Sequence, residues 1–261
     1  MQEFHIGYRS LAEISLEQVS VHIPVYNARG RSLKASLLHA TTGGRIANDH
    51  GSLTVQALND ISLFIKEGDR VGLIGPNGAG KTTLLKVMAG IYEPIEGKVS
   101  ISGKVTTLLN ANIGVSVEMS GWDNIETRGI LLGLDAEKIE LLKRDVAENS
   151  GLGEFLDMPV RTYSAGMRLR LAFCVSTAIY SEILLLDEGI MAGDAEFLQL
   201  ARERFDKMLE DANIFVLASH AKHVMRRFCN KGIFMKRGKV ICFDDIDIAL
   251  AAYEDSIAQV T

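Results

Sequence analysis

The stretch Val71–Met88, VGLIGPNGAGKTTLLKVM, decides the fold of this chain. Its apolar start, Val71–Ile74, predicts a buried strand, and the apolar residues after Lys81 stand at helical spacing. Between them lies the pattern GxxxxGK[ST], whose glycines let backbone N–H groups surround an anion at a helix N-terminus. The residues of the predicted phosphate site are Gly75, Pro76, Asn77, Gly78, Ala79, Gly80, Lys81, Thr82 and Thr83. A triphosphate fits such a site.

Two side chains of this loop have predicted roles. Lys81 is expected to lie along the β- and γ-phosphates of the ligand. The hydroxyl of Thr82 is expected to complete part of a Mg²⁺ shell, because Mg²⁺ favours oxygen ligands and shared phosphates. The strand–loop–helix order favours this reading over a simple glycine-rich turn.

Two further motifs follow short apolar runs. Ile183–Leu186 predicts a strand buried on both faces, and it ends in Asp187 and Glu188. Because ligands of open α/β sheets bind at the carboxyl ends of strands, Asp187 is expected to hold Mg²⁺, and Glu188 is expected to orient or deprotonate the attacking water. His220 follows the next apolar strand, Ile214–Ala218, and is expected to reach the γ-phosphate. Taken alone, an acidic pair is usually a turn and a lone histidine is usually structural.

A second anion-binding turn is predicted where a helix begins after Tyr163. Ser164 stands at a capping position, and Gly166 permits close approach of a backbone. A single helix joins this turn to Asp187, so its N-terminus cannot easily turn back onto the same triphosphate. The predicted arrangement is a head-to-tail dimer with two ATP molecules between the subunits.

Composition excludes several classes of protein. The 261 residues are 47% hydrophobic, enough for a substantial core. A formal net charge of −5 argues against a protein that mainly grips nucleic acid, which needs a basic face. The start Met1–His5 lacks a secretory signal pattern, and the most apolar region, Leu171–Leu186, falls short of the roughly twenty residues that span a bilayer, so a cytoplasmic chain is expected. Three distant cysteines, Cys174, Cys229 and Cys242, predict reduced, buried thiols.

The rest of the chain alternates strand and helix patterns, which predicts an α/β core with a mainly parallel sheet. The predicted strands are Leu11–Val25, Leu53–Ala57 and Ile61–Ile65, with hairpins over Lys98–Leu109, turning at Gly103, and Gly232–Phe243. The predicted helices are a block over Trp122–Phe155, then Ser164–Tyr180, Ala195–Leu209, Ala221–Phe228 and one from about Asp247. The basic segment 27–45, with a helical pattern at Leu33–Ala40, is either a partner-contacting element or a solvated loop.

At these motifs the sequence resembles the nucleotide-binding subunits of ABC transporters, whose signature LSGGQ stands here as YSAGM. GPNGAGKTT, ILLLDE and SH complete the family's order of motifs over most of the chain. The stretches VHIPVYNARGRSLKASLL, RTYSAGMRLRLAFCVSTA and EGIMAGDAEF are similar to the ATP-binding components that export O-antigen, teichoic-acid and capsular polysaccharides.

This resemblance implies one ABC ATPase domain over 1–261, with a phosphate-loop NTPase core, an antiparallel β subdomain, and a helical subdomain within about 112–180. It implies ATP and Mg²⁺ as cofactors, a homodimer with two ATP sites, and an integral membrane permease that handles the polysaccharide. The subunit is then expected on the inner face of the cell membrane, without a C-terminal carbohydrate-binding domain. Two alternatives are an importer subunit and a soluble ABC ATPase acting on nucleic acid or ribosomes.

The sequence departs from the family pattern at three places. The expected Q-loop glutamine is absent from the segment Asn112–Gly121, where Ser116 or Glu118 is the candidate to take its position. Met191–Asp194 replaces the usual SALD-like run. Tyr26 is the chosen aromatic under adenine, although it can also be an ordinary strand-end residue. The same comparison makes Ser116–Glu126, with its Trp122, a candidate groove for the permease, or else Trp122 is core packing.

Overall fold

The computed structural model describes residues 11–24, 46–49, 52–108, 115–178, 181–187 and 195–258. The chain divides into two compact units, Met1–Lys104 with Asn213–Thr261, and Val105–Ala212. The first unit carries the phosphate-loop motif. The second carries the helical block and the turn at Ser164.

The elements of the described residues are as follows. The strands are β1 (Glu13–Pro24), β2 (Ile46–Asp49), β3 (Ser52–Lys66), β4 (Arg70–Ile74), β5 (Glu96–Ser102), β6 (Val105–Leu108), β7 (Ile183–Leu186), β8 (Ile214–Ala218), β9 (Lys231–Lys236) and β10 (Lys239–Asp245). The α-helices are α1 (Lys81–Met88), α2 (Gly121–Leu131), α3 (Ala136–Ser150), α4 (Ala165–Thr177), α5 (Ala195–Asp211), α6 (Lys222–Phe228) and α7 (Ile246–Ala258). Short 3₁₀ turns cover Gly153–Asp157 and Val160–Thr162.

An antiparallel sheet in the first unit has the strand order β2-β3-β1-β5. The sequence predicted two strands at Leu53–Ala57 and Ile61–Ile65, but one strand, β3, runs through both. The irregularity at Asp60, whose φ is 53°, is absorbed within the sheet because the Ser20 hydroxyl accepts the Asp60 N–H at 3.1 Å.

The hairpin predicted over Lys98–Leu109 is wrong. β5 pairs antiparallel with β1, whereas β6 pairs parallel with β7, with Thr106 opposite Leu184. Gly103, at φ 114°, redirects the chain from one ladder to the other. The strand patterns before and after Gly103 therefore predicted two strands but not the strands with which they pair.

The first unit also holds a mainly parallel group of strands in the order β10-β9-β4-β8. β4 pairs parallel with β8 on one side and with β9 on the other, where Leu73 faces Ala218 and Ile233. Every residue of β8 is buried, as expected for a strand covered on both faces. The predicted hairpin over Gly232–Phe243 is confirmed as the antiparallel pair β9–β10.

The second unit packs its helices around an apolar core. Members of this core include Ile125, Leu142, Val146, Leu156, Tyr163, Leu171 and Phe173. A polar link joins three of the helices: Arg204 on α5 makes a bidentate ion pair with Asp145 on α3 and donates to Thr177 Oγ1 on α4 at 2.8 Å. Guanidinium–carboxylate pairs of this geometry fix both angle and distance between the elements that they join.

The three thiols differ in burial. Cys174 and Cys229 are buried, and burial raises the pKa of the Cys174 thiol to about 11 and that of the Cys229 thiol to about 12. Cys242 is only half-buried, so the prediction of burial is wrong for this residue. It lies on β10, which ends the strand order and has no buried residue.

Candidate functional site

The phosphate loop of the first unit is a rigid backbone cradle. It leaves β4 and enters α1 at Lys81, as the sequence predicted. The turn of the β9–β10 hairpin supports the loop: the Gly238 N–H donates to the Ala79 carbonyl at 2.8 Å. Helix α1 has no side-chain cap and no acidic residue in its first turn. Its first N–H groups and its dipole therefore favour an anion.

Two glycines make this cradle possible. Gly75 has φ 147°, and a Cβ there would lie 2.3 Å from the Met235 carbonyl oxygen. Gly80 has φ 111°, and a Cβ there would lie 2.9 Å from the Ala57 carbonyl oxygen. A side chain at either position would displace the loop from its support.

Lys81 carries the positive charge of the cradle. Its Nζ donates to the carbonyl oxygens of Gly75 at 2.6 Å and Pro76 at 3.3 Å, so the ammonium group lies over the loop. Thr82 is exposed and Thr83 is half-buried on the first turn of the same helix. The uncapped helix, the glycine cradle and the lysine together fit the phosphates of a nucleotide.

His220 emerges at the same edge of the parallel strands. Because Leu73 of β4 faces Ala218 of β8 in a parallel ladder, the chain leaves both strands at their carboxyl ends side by side. The Ser219 hydroxyl accepts the Ala221 N–H at 3.1 Å and fixes the turn, and the His220 side chain is exposed. His220 therefore follows the strand beside the one that leads into the phosphate loop, and its contact with the γ-phosphate stays a prediction.

The predicted second anion-binding turn is formed within the second unit. Helix α4 begins at Ala165, and the Ser164 hydroxyl accepts the Met167 N–H at 3.2 Å. A Cβ on Gly166 would meet only the Ser164 hydroxyl, at 3.8 Å, so the surface above this glycine is open among the described residues. The first turn of α4 has no acidic residue. The turn therefore has no acidic side chain that would repel an approaching anion.

Several predicted site residues lie outside the described residues. They are Tyr26, Glu188, the run Met191–Asp194 and the basic segment 27–45. Asp187 is described: it follows β7 directly, and its side chain is half-buried. The roles predicted for all of these residues stay predictions.

The two candidates to replace the Q-loop glutamine have different surroundings. The backbone N–H and carbonyl of Ser116 are both bonded to the Asn124 side chain. The carboxylate of Glu118 forms an ion pair with Arg161, and its side chain is 71% exposed. Sequence reasoning missed Asn124, although its position directly after the capping box Ser120–Asp123 placed it on the first turn of a helix.

Trp122 is in part packed against other residues and in part exposed to solvent. Its side chain is partly buried and packs against the apolar core of the second unit. The same segment exposes Val117, whose side chain is 48% accessible. The structure therefore supports core packing for Trp122 and leaves Val117 as the apolar surface residue of the predicted groove.

Fold and loop together define a phosphate-loop nucleotide-binding protein, and comparison with known proteins identifies its family. Residues 58–191 match the model of the family described as ABC transporter. The chain is 40% identical over 239 residues to the O-antigen export system ATP-binding protein RfbE of Yersinia enterocolitica, covering 91% of this chain and 100% of the relative.

Two further matches cover different lengths. The chain is 33% identical over 201 residues to the teichoic acids export ATP-binding protein TagH of Shouchella clausii, covering 77% of this chain but only 56% of that relative. A solved dimeric ATP-binding cassette, described as a post-hydrolysis state bound to ADP and Pi, matches with a TM-score of 0.64 at 21% identity, covering 89% of this chain and 98% of that one. The second match shows the fold.

The chain belongs to the ABC transporter family, and it is an ATPase of that family. The predicted α/β fold with a phosphate-loop core is confirmed. No helix among the described residues is both long enough and apolar enough to cross a bilayer.

Proposed function

We propose that this chain is the ATP-hydrolysing subunit that powers export of a lipid-linked polysaccharide, such as O-antigen, through a separate membrane permease. The observation that carries the proposal is the match with the O-antigen export ATP-binding protein, which extends over the whole of that relative at 40% identity. The teichoic acids relative supports the same class of cargo, but the chain spans only about half of it. Residues 1–261 act as one cassette in this proposal.

The proposed ATP site combines the described loop with residues assigned by motif. Lys81 and the backbone N–H groups of the loop bind the phosphates, and Tyr26 stacks on adenine. Thr82 and Asp187 supply oxygen ligands that suit Mg²⁺, which neutralises phosphate charge when it is bound. Glu188 takes the proton of the attacking water, and His220 contacts the γ-phosphate.

The proposed active form is a homodimer with two composite ATP sites. Ser164 and Gly166 of one subunit contact the nucleotide held by the phosphate loop of the other. The open surface above Gly166 and the lack of an acidic residue in the first turn of α4 support this role. Closure of the dimer on ATP then drives the permease from the inner face of the membrane.

The proposed permease contact is the exposed part of the segment Ser116–Glu126. Val117 contributes apolar surface there, and Glu118 and Arg161 contribute exposed charges of opposite sign. These side chains are accessible to a partner, and the resemblance to ABC transporter subunits supports a permease contact at this segment.

We expect Trp122→Ala to lower the free energy of unfolding by about 2–4 kcal/mol, because it removes a large ring that packs on the helical core. Thermal unfolding of the isolated subunit measures this effect. Val117→Ala is the control, since its exposed side chain contributes little packing. An unchanged melting temperature for Trp122→Ala, together with weakened association with the permease, would contradict core packing and assign Trp122 to the docking groove.

Co-purification tests the proposed function. The tagged subunit, purified from the detergent-solubilised membranes of its source cell, is expected to be recovered in a stable complex with a multi-span membrane protein. Recovery of the subunit with ribosomes or nucleic acid, and without a membrane protein, would contradict the proposal.

A further inference from the structure

Asn124 is a buried polar side chain whose amide oxygen and amide nitrogen are both hydrogen-bonded to backbone groups. It lies on the first turn of α2 and is 4% exposed. Its Oδ1 accepts the Ser116 N–H at 2.7 Å, and its Nδ2 donates to the carbonyl oxygens of Ser116 at 3.0 Å and Ser120 at 2.8 Å. One side chain thus closes the segment Ser116–Ser120 into a single conformation.

This closed segment is paired with the chain that leads into the signature turn. The Val160 N–H donates to the Met119 carbonyl at 2.9 Å, and the Arg161 N–H donates to the Val117 carbonyl at 2.8 Å. The ion pair between Arg161 and Glu118 lies beside these bonds. The two segments, Ser116–Ser120 and Pro159–Tyr163, form what we call the clasp.

The clasp ends one residue before Ser164. Tyr163 is 3% exposed, and its phenol donates to the Phe155 carbonyl at 2.5 Å. Its own carbonyl accepts from Arg168 at 2.8 Å. A Cβ on Gly121 would lie 2.5 Å from the Tyr163 hydroxyl, so this glycine makes room for the ring. These contacts hold Tyr163 in place, and they thereby fix the point at which the backbone enters Ser164.

We propose that Asn124 is a positioning residue for the signature turn: by closing the clasp, it sets the orientation in which Ser164 and Gly166 meet the nucleotide of the second subunit. The inference rests on the composite dimer site proposed above. Loss of the Asn124 amide removes the partner of the Ser116 N–H. The Ser116 carbonyl then keeps only the Met119 N–H, at 3.4 Å, so the segment is held less firmly. The phosphate loop lies in the other unit and shares no residue with the clasp.

A mixed dimer tests the proposal. One chain carries Lys81→Ala and the other carries Gly166→Asp, so a single working site remains, built from the loop of the second chain and the turn of the first. Asn124→Ala is then added to either chain. In the Lys81→Ala chain it is expected to lower the ATPase rate about tenfold, because that chain supplies the working turn. In the Gly166→Asp chain the rate is expected to stay within about twofold, because the turn there is already inactive.

Asn149→Ala is the matched control. Asn149 is a partly buried asparagine of the same unit, and its amide donates to Asp145 in its own helix. We expect no dependence on placement for this variant. Equal losses from Asn124→Ala in both placements, including losses through misfolding, would overturn the positioning role, as would no loss in either. An inactive parent mixture, before Asn124 is changed, would instead overturn the composite site and the inference with it.

Discussion

Glu188→Gln is expected to bind ATP with unchanged affinity and to hydrolyse it at least about 100-fold more slowly, because it removes the group that we propose takes the proton of the attacking water. Lys81→Ala is expected to fail at the earlier step. It removes the ammonium group that lies over the phosphate loop, bonded to the Gly75 carbonyl at 2.6 Å, and so weakens ATP binding itself.

Equilibrium binding of a fluorescent ATP analogue and steady-state phosphate release separate the two defects. Lys81→Arg is a matched variant that keeps the charge but changes the shape of the head group, and it is expected to fall between wild type and Lys81→Ala. Poor ATP binding by Glu188→Gln, or hydrolysis at the wild-type rate, would contradict the role of Glu188.

A mixture of Lys81→Ala and Gly166→Asp chains is expected to recover ATPase activity that neither parent shows. Each parent homodimer has two defective sites, whereas the heterodimer combines one intact loop with one intact turn. Gly166→Asp places a carboxylate where the nucleotide phosphates would approach, and the open space around Gly166 lets the subunit fold with this side chain. Activity near half of the wild-type value per heterodimer is the expected upper limit.

The control for this mixture is a chain that carries both substitutions. In a heterodimer of this chain with wild type, one composite site has a defective loop and the other has a defective turn. Neither site is then intact. The measurement is phosphate release by heterodimers isolated with two different affinity tags. The decisive species is the isolated heterodimer with Lys81→Ala in one chain and Gly166→Asp in the other. If it were as inactive as the two parents, the turn would act within its own chain.

Individual strands and turns could be predicted from the sequence. β7 and β8 have the predicted bounds, Ile183–Leu186 and Ile214–Ala218, because runs of four or five apolar residues between polar ends suit only strands covered on both faces. The phosphate loop and the turn at Ser164 were predictable for a different reason: their chemistry requires glycine, lysine and hydroxyl groups at fixed spacing.

Strand pairing between distant segments could not be predicted from the sequence. Gly103 was interpreted as a hairpin turn, yet the strands on its two sides join different ladders, a choice that depends on partners remote in sequence. Leu53–Ala57 and Ile61–Ile65 were predicted as separate strands, but they are one strand, in which Ser20, forty residues earlier in the chain, accepts the Asp60 N–H. Asn124 was missed for a different reason: its partners lie only four and eight residues before it, but no sequence pattern shows that the chain turns back onto this side chain.

The central claim is that this ATPase works for a polysaccharide exporter. The most direct test is the ATPase rate of the purified subunit–permease complex in lipid, with and without the lipid-linked O-antigen-type glycan of the source cell. The account predicts that the glycan raises the rate several-fold, that the lipid carrier without sugars does not, and that Glu188→Gln abolishes the stimulated rate. A complex whose rate is unaffected by any lipid-linked glycan, and is instead raised by a substrate-loaded external binding protein, would contradict it.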